Sequence, residues 1–185
     1  LSKNFPHGAQ SLAVLEWAAD RQPDAARAPH LLGLALAGAH RMDGAAEQWE
    51  KAAALDPALA PAWRLLGMHH WKKTADLAKA EECLKKALDA APGDQVILRD
   101  LAAVLTELKR RPEALALVEA LPAGTEVRYD LALWRAEACL DEKNYDRCLD
   151  LLRAGDFTNW EGSTKPRDIF CAALIARGKL RAADG

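Results

Sequence analysis

The 185 residues predict an all-α chain, an array of antiparallel helix pairs wound as a right-handed α-solenoid of about four to five repeats. Two observations predict it. Pro23, Pro57 and Pro92 each close a helix-like run, and they stand 34 and 35 residues apart. Proline cannot donate into the helical ladder, so proline just past a run is a stop signal. The apolar and small positions between these stops also recur in phase. One unit carries Leu32-Gly33 and Leu36 on its first helix, then Ala45, Trp49 and Ala52 on its second. The next carries Trp63, Leu66-Gly67 and His70, then Ala80, Leu84 and Ala87, and the third Leu98, Leu101-Ala102 and Leu105, then Ala114 and Val118. Small residues belong where paired helices cross closely, and large ones fill the gaps between them.

The elements follow in order. Residues 11–20 read as a second helix without its own first helix, and the units at 26–57, 60–92 and 95–125 are complete. Including its flanks, that opening half-unit spans 9–23. A weaker unit covers 127–155: a first helix over 127–140 with Ala136 in the small slot, then Tyr145 and Cys148 on the second. An amphipathic stretch over 166–177 starts a further, incomplete unit at 164–185, whose second helix barely begins. Ten helices are expected, in one domain over 1–185 that reads as a fragment of a longer chain. Between Trp71 and Ala80 the segment WKKTADLAKA is one residue longer than the turn in the other units, and AGDFTNWEGSTKP is too long and polar for an ordinary connector.

The 34-residue period and these slots resemble the tetratricopeptide repeat superfamily. The stretches KKTAD-LAKAEECLKKAL, LRDLAAVL and FTNWEG further resemble the C-terminal repeat arrays of large uncharacterised bacterial proteins. In that family an N-terminal domain of unknown function, of a sugar-processing β-sandwich type, precedes the repeats. The element particular to it is F-x-x-W-E-G, carried by Phe157, Trp160, Glu161 and Gly162.

The superfamily's repeats imply a concave face lined by first helices. The fifth position of successive first helices holds His30, Arg64, Arg99 and Leu133, and the ninth holds Leu34, Met68, Ala103 and Glu137, with Trp71 and Glu107 nearer the helix ends. This is a basic ladder beside an apolar one, suited to an acidic segment with a hydrophobic anchor; the plainer reading is a solvated surface. The two-carboxylate clamp of chaperone-binding members needs lysine and asparagine where this chain has His30, Leu34, Leu65, Arg99 and Ala103, so that role is rejected. Among six tryptophans, Trp49 and Trp63 are expected in the core, Trp17 half-exposed, Trp160 as a plug from its loop, and Trp71 and Trp134 as exposed concave aromatics.

Composition bounds the rest. With 25 basic and 27 acidic residues the net charge is -2, against the basic excess of nucleic-acid binders, and no apolar run is long enough for a membrane helix. Cys83, Cys139, Cys148 and Cys171 form no CxxC pair and are expected as reduced thiols, with Cys83, Cys148 and Cys171 buried in small-residue slots, in a cytoplasmic setting. Adjacent His69-His70 point apart on a helix and cannot readily share a metal. Neither a nucleophile elbow, a phosphate loop nor a metal spacing occurs, so no enzyme and no cofactor are expected. Three readings remain: a scaffold binding a peptide or helix of another protein, an accessory or oligomerisation segment packed on other domains of a larger, carbohydrate-active bacterial protein, and self-association through uncapped repeats.

Overall fold

The computed structural model describes residues 9–22, 24–122, 124–155 and 165–184. Among these the chain is all α, with no strand. Ten α-helices follow one another: α1 (Ala9–Arg21), α2 (Arg27–Gly38), α3 (Met42–Leu55), α4 (Ala60–His69), α5 (Leu77–Ala90), α6 (Gln95–Glu107), α7 (Arg111–Glu119), α8 (Tyr129–Asp141), α9 (Tyr145–Ala154) and α10 (Lys165–Asp184). The connector motif Phe157, Trp160, Glu161 and Gly162, and with it the expected plug, lies outside the described residues. The chain divides into two compact units, Leu1–Lys109 and Arg110–Gly185.

In the first unit α2 packs on α3 and α4 on α5. Glycine makes both possible. A Cβ built on Gly33 would stand 2.6 Å from Trp49 Cδ1, and one on Gly67 2.7 Å from Leu84 Cγ. Trp49 is 2% exposed and anchors a core of Leu32, Leu36, Ala45, Ala52 and Leu66, onto which Leu12, Leu15 and Ala19 of α1 pack. Trp63, expected in the core, is only half-buried. Its indole Nε1 donates to Pro57 O at 3.0 Å, and the Lys86 ammonium stands 4.6 Å above its ring. A polar tip satisfied at the surface and an apolar body packed beneath suit an indole. Helix starts are capped where the sequence offers a short acceptor: Asp76 accepts from Lys79 N, and Asp94 from Val96 N and Ile97 N.

The second unit is centred on Leu133, Ala136, Cys139, Cys148, Leu149, Ile169 and Ala173, from α8, α9 and α10. Asp146 of α9 holds Arg177 of α10 at 2.8 Å, and Arg147 of α9 holds Glu119 of α7 at 2.6 Å. Helix α10 departs from expectation, running unbroken through Gly178 to Asp184 where the sequence suggested a break after Arg177. Cys171 is also corrected: it is exposed, whereas Cys83, Cys139 and Cys148 are buried. Cys171 stands two residues from Ile169 and two from Ala173, the inward pair, and two residues turn a helix by roughly 200°. Burial pushes the Cys83 and Cys148 thiols up to about 11. At pH 8 their thiolates are then about a thousandth of the population. Native labelling with a thiol reagent should modify Cys171 within minutes and leave the other three until the protein unfolds. Four equally fast sites, by intact mass, would contradict the packing. Because these folded values lie above those of a free thiol, the associated stability is fully present below pH ~9 and is lost as the pH climbs through 11.

The turns inside the helix pairs share a geometry invisible in composition. His40, Ala75, Lys109 and Lys143 all have positive φ, from 54° to 63°, at intervals of 35, 34 and 34 residues. Each occupies the left-handed position that closes a helix end, where glycine is the usual residue. At two of these turns the closing bond spans five residues, Arg41 N to Leu36 O at 2.9 Å and Asn144 N to Cys139 O at 2.8 Å. After α4 it spans six, Asp76 N to His70 O at 2.9 Å, and the chain from His70 to Thr74 widens into a π turn. The extra residue noticed in WKKTADLAKA is taken up there, as a local bulge. Replacing Ala75 by glycine, which removes one methyl from an exposed turn, should raise stability by ~0.5–1 kcal/mol: relief of left-handed strain exceeds the added freedom of the unfolded chain. An unchanged or lower urea midpoint would show that the strain is already relieved.

Candidate functional site

The residues expected on one binding face lie on first helices, and their surroundings differ from a free basic ladder. On α2, Leu32, Gly33 and Leu36 face the core, so the outward side carries His30, Leu31 and Leu34. Leu31 and Leu34 are 49% and 43% exposed. Leu31 was not singled out from the sequence, because it adjoins the core-facing Leu32 and only helical rotation separates them. His30 is half-buried, its Nδ1 has no hydrogen-bond partner among protein atoms, and burial lowers its pKa below the ordinary histidine range. Burial thus disfavours its charged form and weakens its part in the basic ladder.

Arg64 of α4 does not face solvent as an open cation. Its Nε donates to Asp100 Oδ2 of α6 at 2.6 Å, with the two side chains 32% and 16% exposed. The pair ties one first helix to the next and cancels the charge that the ladder assigned to Arg64. Arg99, also half-buried, has no ion partner among the described residues and is the ladder's remaining cation. Met68 and Ala103 are half-buried, one helical turn beyond Arg64 and Arg99. Trp71, in the π turn, is half-buried and has the Lys72 ammonium 3.1 Å from its ring centre, so a cation already occupies one aromatic face.

In the second unit the expectation fails for Trp134, which is 6% exposed and not an open aromatic. Leu133 is buried beside it, at 8%. The reason is the composition of α8, where Leu131, Leu133, Trp134, Ala136, Ala138 and Cys139 are all buried and between them occupy nearly the whole circumference. Glu137 is half-buried and held by Lys165 at 2.6 Å. His69 is buried with an unpartnered Nδ1, its ring 5.7 Å from that of His70 and edge-on to it. Among the described residues no group of three histidine, cysteine or carboxylate side chains is placed to hold a metal ion, and no helix is long and apolar enough to cross a membrane.

The surface of α2, α4 and α6 can thus offer apolar contact from Leu31, Leu34 and Met68, with one free guanidinium.

Comparison with known proteins gives this helix order its context. Residues 74–126 match the family model of the tetratricopeptide repeat. Among solved structures, YrrB, "a TPR protein with an unusual peptide-binding site", superposes with a TM-score of 0.68 at 18% identity, over 97% of this chain and 100% of that one. PilF of Pseudomonas aeruginosa superposes at 0.67 with 19% identity, over 92% and 83%. MamA gives 0.61 at 14%, over 92% and 89%. At such identities it is the fold that is shared. The chain shares the all-α fold of these structures, and residues 74–126 match the tetratricopeptide-repeat family model.

Proposed function

We propose that this chain is a non-catalytic interaction scaffold that holds a peptide or helix of another protein against the outward side of α2, α4 and α6. The observation that carries the reading is the exposure of Leu31 and Leu34 on α2, with Met68 and Ala103 at the matching level of the following first helices. The partner differs from an acidic segment. With Arg64 neutralised by Asp100 and the charged form of His30 disfavoured by burial, contact is led by apolar side chains, and Arg99 supplies one orienting charge. An amphipathic helix with anchors at i, i+3, i+4 and i+7 fits that description. Three buried, unpaired cysteines support a reducing, cytoplasmic setting. The peptide-binding site named for YrrB supports the general role without locating it here.

The test is selection from a random displayed-peptide library against the protein and against its Leu34→Glu, Met68→Glu double variant. Enriched peptides should carry an apolar stripe, bind with little loss between 0.1 and ~0.5 M salt, and fail on the double variant while its melting temperature is retained. Equal enrichment on both proteins would remove the face from consideration. The resemblance to the repeat arrays of large bacterial proteins would then favour an accessory or oligomerisation role.

A further inference from the structure

We infer a second interaction surface, independent of the first, in the groove between α1 and α3, and assign it a peptide segment that carries lysine or arginine beside an apolar anchor. Helices α1 and α3 both pack on α2, which supplies the floor through Pro29, Leu32 and Leu36. Leu32 lies two residues before Leu34 and Leu36 two after it. At 100° per residue both point away from the outward side of α2. The groove therefore lies across α2 from the face proposed above, and the two can be tested separately.

Small residues open it. Ala19 of α1 and Gly44 and Ala54 of α3 stand along the walls, leaving a volume of about 680 Å³, within the range of sites that hold a ligand. The groove's charge then selects the segment. Glu16 and Asp20, one turn apart, line the α1 wall, and Glu47 stands on α3. None of the three has an ion partner among the described residues. Arg41 and Lys51 lie ten residues apart on the α3 side, roughly 15 Å along the helix and on either side of Glu47, and among the described residues neither forms an ion pair with the α1 wall. A basic side chain reaching the α1 wall, with a neighbouring aliphatic group over the floor, meets complementary charge and apolar surface together.

The probe is a fluorescein-labelled peptide, Gly-Lys-Leu-Lys-Leu-Gly, compared by anisotropy with a twin carrying glutamate for lysine and a twin carrying serine for leucine. The lysine–leucine peptide should bind roughly tenfold tighter than either twin, and Glu16→Lys with Asp20→Lys should erase that preference. Lys51→Glu should act in the opposite sense and tighten binding of the lysine–leucine peptide, a gain that partial unfolding would not mimic. Leu34→Glu with Met68→Glu should leave it unchanged. The inference is overturned if the three peptides bind alike, if none binds, or if charge reversal on α1 has no effect. Loss on the Leu34 and Met68 variant alone would overturn it too, and would assign the peptide to the outward face.

Discussion

Trp49→Ala should cost this protein ~3–5 kcal/mol of stability, a fall in melting temperature of roughly 6–20 °C for a chain of this size. Trp49 is 2% exposed, and its indole fills the space between α2, α3 and α4 that Leu32, Leu36 and Leu66 enclose. Truncation leaves a void that helices fixed by their own hydrogen bonds cannot close. The same indole explains a glycine. At Gly33 a Cβ would stand 2.6 Å from Trp49 Cδ1 and 3.0 Å from Ala45 O, too close to both side chain and backbone. Gly33→Ala should therefore destabilise by ~1–3 kcal/mol despite alanine's better helix propensity. In the Trp49→Ala background the contact with the indole is gone, so the penalty should shrink to what the 3.0 Å approach to Ala45 O still imposes. Urea denaturation of the four proteins measures the coupling, expected at ~1 kcal/mol or more. Additive effects would mean that Gly33 and Trp49 do not meet.

Gly67→Leu is the second large effect, a loss of ~1–3 kcal/mol. A Cβ there would lie 2.7 Å from Leu84 Cγ and 3.3 Å from Ala80 O. Leu84 is fully buried and Ala80 O belongs to helical backbone, so neither neighbour can withdraw cheaply. Gly67→Ala should cost less than the leucine variant but remain below the parent. Equal thermal melts for parent and Gly67→Leu would show that α4 and α5 cross with room to spare.

Much of this was legible in the sequence, for a specific reason. Gly33 and Gly67 recur one repeat apart, Trp49 and Leu84 face them from second helices, and the period reports contacts between helices adjacent in the chain. What escaped depends on contacts without that phase. The Arg64 to Asp100 pair spans 36 residues, and Asp100 looks like an ordinary surface carboxylate beside Leu101. Trp134 escaped because α8 is buried nearly all round, so no polar stripe marks an outward side and the inherited register placed it wrongly. Cys171 was assigned to a slot by analogy with earlier units, but α10 packs through Ile169 and Ala173 instead. The left-handed residues escaped because His40, Ala75, Lys109 and Lys143 share a backbone angle and no common side chain.

The π turn after α4 bears on how such a chain tolerates change in length. One additional residue between α4 and α5 is absorbed where the closing bond lengthens from five residues to six, and Asp76 still caps α5 through Lys79 N. Gly67 and Leu84, on either side of the turn, keep their contact. An insertion at this point is thus dissipated before it reaches a packed surface, whereas one inside α4 or α5 would rotate every later side chain by about 100°. The bulge marks a position where an engineer can add a residue or graft a short loop without re-solving the fit between helices.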